Sequence, residues 1–483
     1  MPHPQPLPRS TPEAQGIDSG AISALVDALE QRGLGPHSLM ILRHGTVVAE
    51  GWWAPYEAAR PHIMFSVSKS FTATAVGIAQ DEGRLSVDEP VLSFFPSYAT
   101  SQVRANVAGL KLRHVLAMAT GHAVDTMTIM RALPDEDWVK LFLEVPVEYP
   151  PGTHFLYNSG ASFVLAAAVT ARTGQPVVDY LGPRLFEQLG IAPPTWETNR
   201  RGINLGASGL RLRTEDMARL GQLYLQRGRW EGRQLLSEAW VEEATRSHVA
   251  NFSDAPDWKA GYGFQLWRSQ HDSYRFDGAY GQFVLVLPHQ DLVVAITSGT
   301  QRNQDVPPAV WEHLLPGVHH TALPADPAAS AALAERLAGL AVPVPAFRSP
   351  DPAAAAEVAG RQVTLPFNRL GVRSLALDFD DKAITLRTVG PDGDEEAVVA
   401  GRTGWVAGST RRWPHEEMNE AAVAARGGWL DEHTLELDWQ CVDTPFRRTW
   451  RLRFDRPGHV EVTVGLDLGF WEPDTVVLDG TLG

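Results

Sequence analysis

Ser66 and Lys69 stand three residues apart in the stretch Phe65-Ser-Val-Ser-Lys-Ser-Phe-Thr-Ala73. If a helix begins at Ser66, that spacing puts both side chains on one face, one turn apart. The hydroxyl then lies at the positive end of the helix, which favours developing negative charge. A lysine desolvated by Phe65, Phe71 and Val76 loses its proton more readily and could accept the one from Ser66. The plainer alternative is a Ser cap followed by a solvated lysine. Lysine is scarce here, five among the 42 basic residues, and no other lysine has Ser three places before it. Arginine could not stand in, because it stays protonated.

The elements around this pair follow from periodicity. Residues 17–33 predict a helix, capped by Asp18 or Ser19, with Ile22, Leu25, Val26 and Leu29 as its apolar stripe. SLMILRHGTVVAEGWW reads as a β-hairpin about His44-Gly45. Helical patterns then dominate from about residue 66 to 240, including RHVLAMATG, ASFVLAAAVTARTG and TEDMARLGQLYLQRG. Strands return with GYGFQLW and with GQFVLVLPHQDLVVAITSG, whose Pro-His-Gln-Asp suggests a turn. Strands early and late with helices between them suit an α+β domain whose sheet joins both ends of the segment.

Composition then shifts. ADPAASAALAERLAGLA predicts one more helix, and VPVPAFRSPDPAAAA a linker. After about residue 360 come QVTLPF, SLALDFD, AITLRTV, TLELDWQCV, RTWRLRF and HVEVTVGLDL, which alternate or are β-branched. Six to eight such strands without helices predict a small β-barrel or sandwich. The expected organisation is residues 1–325 as the main domain, 326–359 as helix and linker, and 360–483 as the β-domain.

FSVSKSFTATAVGIAQDEGRLSVDEPV resembles the active-site helix of the serine β-lactamase-like hydrolases: class C β-lactamases, D-alanyl-D-amino acid peptidases and related esterases and amide hydrolases. The resemblance continues in order through LRHVLAMATGH, EYPPGTHFLYNSGASFVLAAAVTARTG, GLRLRTEDMARLGQLYLQRGRWEGRQLLSEAWVEEAT, GYGFQLW and DGAYGQFVLVLPHQDLVVAITSG, roughly residues 10 to 320. Within the family it looks most like the cytoplasmic serine hydrolase branch and the oligomer-amide hydrolases. It implies a penicillin-recognising (β-lactamase/transpeptidase-like) fold with an antiparallel sheet and a helical subdomain, followed by the C-terminal β-domain.

By the same resemblance, Tyr157 of Tyr157-Asn158-Ser159 matches the Tyr of the family's Tyr-x-Asn and would share the proton with Lys69; a nearby ammonium would lower its pKa from about 10. Read from the sequence alone, Tyr157 is a packed aromatic after a turn; it is the resemblance that favours the catalytic reading. Ser159 stands where Asn is usual, which counts against β-lactam-style carbonyl recognition. The family's Lys-Thr-Gly or His-x-Gly is absent. Its place is taken by Asp277-Gly278-Ala279-Tyr280-Gly281-Gln282. The resemblance implies an oxyanion hole from the amides of Ser66 and Ala279, each such donor worth about 3 kcal/mol. Ser159, Asp277, Gly278 and Tyr280 are the expected substrate-binding residues. Asp277 either attracts an amino-bearing group or is a simple turn residue.

His114, His122 and His154 sit near these motifs but read as structural, and adjacent His319-His320 lack helical metal spacing. No zinc motif, Walker loop, dinucleotide fingerprint or Gly-x-Ser-x-Gly elbow appears, so neither cofactor nor metal is expected. Of the 15 tryptophans, Trp52, Trp53, Trp258 and Trp267 are candidates for an apolar pocket. The single cysteine, Cys441, allows no internal disulfide and reads as a core residue on a strand.

A net charge of −15 argues against nucleic acid. The opening MPHPQPLPRSTPEAQG lacks the basic and apolar regions of a secretion signal, and no apolar run reaches the roughly 18 residues of a membrane span. The expectation is a cytoplasmic serine hydrolase of small esters or amides acting through a Ser66 acyl-enzyme. Two rivals remain: a D-amino peptidase or weak β-lactamase, and a catalytically silent ligand-binding protein on the same fold.

Overall fold

The computed structural model describes residues 6–251, 253–412, 420–466 and 474–483, and the chain divides into two compact units. The last two residues of the HVEVTVGLDL run, and the first five of the chain, lie outside the described residues.

The first unit takes in residues 1–51 and 61–339. Its opening helix, α1 (Ser19–Gln31), is capped by Asp18, whose carboxylate accepts the Gly20 N–H, and it buries Ile22, Leu25, Val26 and Leu29 as the stripe predicts. Strands β1 (Pro36–Arg43) and β2 (Thr46–Trp52) follow. His44 and Gly45 between them both have positive φ, the geometry of a tight hairpin turn that matches strand twist.

The sheet is completed from the far end of the unit by β3 (Trp267–Arg268), β4 (Tyr274–Gly278), β5 (Gln282–Leu287) and β6 (Leu292–Ser298). Strand order is β2-β1-β6-β5-β4-β3. The pairs β1–β6, β6–β5, β5–β4 and β4–β3 are antiparallel, with Leu39 opposite Ile296 and Phe276 opposite Val284. The first and last strands thus meet at the sheet's centre, which explains why the chemistry-bearing helices occupy the middle of the sequence.

Two long helices stand out among those helices. In α2 (Val67–Asp81) every residue from Val67 to Ala79 is buried. A helix of alanines, threonines and β-branched residues without a polar face must be surrounded by protein. It packs on α3 (Ser159–Thr173), which is equally apolar and ends at Gly174 with positive φ. Helix α4 (Thr214–Leu225) covers β5 and β6, and α5 (Pro327–Ala338) closes the unit against α1.

The second unit holds residues 340–483 together with 52–60. Its short helix α6 (Ala353–Val358) lies inside the segment expected to be a linker. Ten strands follow: β7 (Gln362–Thr364), β8 (Ser374–Phe379), β9 (Ala383–Val389), β10 (Glu395–Gly401), β11 (Val406–Thr410), β12 (Ala421–Trp429), β13 (Thr434–Cys441), β14 (Arg447–Arg456), β15 (His459–Leu466) and β16 (Asp474–Leu482). Their order is β10-β9-β8-β7-β16-β15-β14-β13-β12-β11, and Gly401 also pairs with Arg426, joining β10 to β12. Nine strands therefore close into a barrel, with β11 outside the ring. This settles barrel over sandwich and exceeds the six to eight strands expected.

Trp429, Trp439 and Trp450 are each at most 2% exposed in this unit. Tyr56 belongs here too: its hydroxyl donates to the Thr444 carbonyl at 2.9 Å and accepts from Gln440 Nε2 at 2.5 Å. Cys441 ends β13 in the core, where burial pushes its thiol up to about 12.

Candidate active site

Ser66 occupies the N-cap of α2, but its hydroxyl does not cap the helix. It is left available, and the residue is half-buried. Phe65 just before it has φ +43°, a left-handed conformation that an aromatic residue adopts only under constraint. Lys69, one turn on, is 2% exposed. Its Nζ donates to Ser66 Oγ at 2.8 Å and to the Ala207 carbonyl at 3.0 Å. Burial lowers its pKa from the usual lysine value to about 7; Asp125 opposes that, Arg131 adds to it, and Asp277 opposes it again. A buried amine half neutral near neutral pH has a lone pair to offer the hydroxyl it touches.

Ala207 escaped the sequence reading. Its loop follows Gly206, where φ is +67° and a Cβ would lie 2.6 Å from the Ser162 carbonyl on α3. Thr72 Oγ1 donates to the Gly206 carbonyl at 2.8 Å and ties the loop to α2. The small residues of Gly206-Ala-Ser-Gly209 signal a turn, but nothing in them shows which helix the turn approaches.

Tyr157 immediately precedes the Asn158 cap of α3. Asn158 Oδ1 accepts from the Thr126 N–H at 3.1 Å and the Ala161 N–H at 3.3 Å, and Leu156 N–H donates to the Met118 carbonyl at 2.9 Å, so the tyrosine's backbone is held on both sides. Lys69 Nζ lies 4.9 Å from the centre of its ring. Burial raises the phenol's pKa above the ordinary value, and the nearby Ser66 side chain only partly opposes this; Asp277 and Asp125 raise it further and Arg275 lowers it. The sequence reading expected the reverse, a phenol acidified by a lysine ammonium. The correction follows from burial, which disfavours the charged phenolate and outweighs the other influences on the ring. Tyr157 therefore keeps its proton near neutral pH.

The third contributor is the end of β4 and the turn after it. Gly278 comes so close to residue 64 that an added Cβ would lie 2.5 Å from the Met64 carbonyl. Tyr280 has φ +62° and packs edge-on against Phe65, with ring centres 5.2 Å apart. Gln282 Nε2 binds the carbonyls of Ala279 at 3.1 Å and Ser298 at 2.8 Å, which fixes the turn. The Ala279 segment is thereby placed beside the start of α2.

Asp277 is not a bare acid awaiting a ligand. Arg275 Nε donates to its carboxylate at 3.0 Å, and the two side chains are 0% and 8% exposed. Burial raises its pKa, opposed chiefly by Arg275. The Trp258 indole N–H also lowers it, from a position that falls short of hydrogen-bond geometry. Ser159 is half-buried as the first residue of α3.

The histidines near the motifs have structural settings. His114 Nδ1 accepts the Lys111 N–H at 3.2 Å, His154 stacks on Tyr149 at 4.2 Å, and buried His122 lies 2.9 Å from Thr120 Oγ1 with its pKa lowered by burial to about 4. His319 and His320 are exposed. Among the described residues no group of three His, Cys, Asp or Glu could hold a metal ion. Of the four tryptophans singled out, Trp267 lies beside Tyr157 and Trp258 stacks on Trp267, while Trp52 and Trp53 belong to the second unit.

The Beta-lactamase family model matches residues 22–315 of this chain, and the chain belongs to that family. It is similar to the 6-aminohexanoate-dimer hydrolase of Paenarthrobacter ureafaciens, 27% identical over 252 residues, which cover 48% of this chain and 63% of that protein. The D-aminopeptidase of Brucella ovis is 26% identical over 184 residues, 35% of each chain. The chain thus spans less than two thirds of the length of these curated relatives. A solved structure described as a 6-aminohexanoate-dimer hydrolase from Bacillus anthracis superposes with TM-score 0.52 at 19% identity, over 64% of this chain and 87% of that one. The fold is of the β-lactamase and penicillin-binding-protein type, with an antiparallel sheet and helices, and the closed barrel follows it. No helix among the described residues is long and apolar enough to cross a membrane.

Proposed function

We propose that the protein is a cofactor-free serine hydrolase that cleaves an ester or amide through an acyl-enzyme on Ser66. The observation that carries this reading is the buried Lys69 amine, 2.8 Å from Ser66 Oγ and with a pKa of about 7. The neutral amine takes the hydroxyl proton as Oγ bonds to the substrate carbonyl carbon. The amides of Ser66 and Ala279 hold the resulting oxyanion, contributing about 3 kcal/mol each. Tyr157 donates its proton to the leaving oxygen or nitrogen as the old bond breaks, and the Lys69 ammonium restores it. Water then attacks the acyl carbonyl, its proton passes to the dyad, and Ser66 departs reprotonated.

The names of the relatives, a dimer hydrolase and a D-aminopeptidase, support amides within this class. The substrate is a small molecule; the net charge of −15 supports the exclusion of nucleic acid. The reading keeps the protein in the cytoplasm. Asp277, where other members carry a cation, speaks against a tight grip on a substrate carboxylate.

Fluorophosphonate labelling tests the nucleophile. The parent is expected to label and Ser66→Ala to remain unlabelled. Equal labelling of both rules out Ser66, and ligand binding without labelling or turnover restores the silent-binding reading.

A further inference from the structure

Three rings run away from the reacting centre nearly parallel. Tyr157 and Trp267 have centroids 5.7 Å apart with planes 19° apart; Trp267 and Trp258 are 5.2 Å and 13° apart. Trp267 is locked in place, with Tyr262 edge-on at 4.8 Å and the Arg275 guanidinium 5.7 Å from its ring centre. Trp258 differs. It stands on the short Pro256–Lys259 helix and is half-buried, and its indole N–H is buried without a hydrogen-bond partner among the described residues. That N–H lies toward Asp277, one residue before the Gly278-Ala279 turn. The stack therefore ends in a partly open aromatic surface at the edge of the site.

Charge limits what that surface receives. Arg275 is committed to Asp277. Lys69 is buried against Ser66 and Ala207. Arg131, which also acts on Lys69, is solvent-exposed, where its field is screened. The charged group on which the Trp258 N–H acts is the Asp277 carboxylate, and Lys259, next to Trp258 in sequence, is solvent-exposed, where its field is screened.

Flat rings gain most from offset stacking on a flat, apolar partner. In the reaction above Tyr157 serves the leaving atom, so rings continuing from Tyr157 lie on the leaving-group side. Resting on that serine hydrolase reading, we propose that Trp258 and Trp267 form a leaving-group subsite for a flat, uncharged aromatic group, making neutral aryl esters and aryl amides the preferred substrates.

The test uses the full chain and three acetates: methyl 4-acetoxybenzoate, its free carboxylate 4-acetoxybenzoate, and ethyl acetate. Each kcat/KM is normalised to the hydroxide-catalysed rate. The neutral aryl ester is expected to exceed the carboxylate by about tenfold or more, within the roughly 10–200-fold range of one discriminating contact. Trp258→Ala should lower kcat/KM for the neutral aryl ester about tenfold more than for ethyl acetate, mainly through KM, and Trp258→Phe should restore most of the loss.

Equal normalised rates for the neutral and anionic esters overturn the inference. So does a Trp258→Ala loss of the same size for the aryl and ethyl esters, which marks Trp258 as packing only. Fluorophosphonate labelling of Ser66 in the same samples separates the two levels. If Ser66 labels while the neutral aryl ester is not favoured or not turned over, the subsite falls and the hydrolase reading stands. If Ser66 does not label, both fall.

Discussion

Lys69 Nζ donates to the Ala207 carbonyl at 3.0 Å, a contact that spans 138 residues of sequence. It holds the amine in the protein interior by one hydrogen, so that in the neutral form the lone pair can turn to the Ser66 hydroxyl. The arrangement costs stability, because the amine is buried away from water.

That cost has a definite pH signature. The folded-state pKa of Lys69 is about 7 against 10.5 in the unfolded chain. Between those values the unfolded state binds more protons, so stability rises with pH across that window and the penalty is full below it. Lys69→Met fills similar space with no charge. Thermal unfolding should show it more stable than the parent at pH 6, by about 1–3 kcal/mol after loss of the amine's hydrogen bonds. The gain should shrink steadily towards pH 10. A gain independent of pH would contradict the depressed pKa.

Tyr157→Phe keeps the ring stacked on Trp267 and removes only the hydroxyl. As a protonated donor to the leaving group, the phenol is worth about 10²–10⁴-fold in rate. Steady-state kinetics should show that loss in kcat and kcat/KM together, with stability changed by less than about 1 kcal/mol. A variant with undiminished kcat would remove Tyr157 from the reaction.

Asp277→Asn leaves the fully buried Arg275 guanidinium without its counter-charge. Breaking a buried pair from one side costs about 3–5 kcal/mol, which denaturant unfolding would register. Replacing both residues by apolar ones, Arg275→Met with Asp277→Leu, should recover most of it. Because Asp277 raises the Lys69 pKa, its removal moves the acid limb of the pH–rate profile to lower pH. An unmoved limb would mean that Asp277 does not act on the amine.

Much of this site was legible because its signals are local. Ser66 and Lys69 are one helical turn apart, and Tyr157 sits directly before a helix cap. The Arg275–Asp277 pair is local too: residues two apart on a strand share a face. Taken alone, Asp277 reads as a turn residue or a magnet for cations. Ala207 and Gly206 were beyond reach, since their role arises only where a distant loop meets α2. The direction of the Tyr157 shift depends on burial, which a short motif does not reveal.

In the β-domain the six runs read as strands all appear, but four more strands do not announce themselves. Glu395–Gly401, Val406–Thr410, Ala421–Trp429 and Asp474–Leu482 are interrupted or diluted by Ala, Gly, Asp and Glu, which are depleted in strands. Pairing to neighbours overrides that weak propensity. The 52–60 segment joins the second unit through Tyr56 and its bonds to Gln440 and Thr444, nearly 400 positions away, and no local pattern marks such a partner.

The central claim is that neutral Lys69 strips the proton from Ser66. The rate at which a fluorophosphonate modifies Ser66, followed by intact mass from pH 5 to 9, reads that step without needing the natural substrate. The account predicts a rate that rises through a midpoint near pH 7 and that, above this midpoint, falls at least about 10²-fold in Lys69→Met, with the gap narrowing towards pH 5. A pH-independent rate, or a rate that survives the loss of the amine, would contradict it.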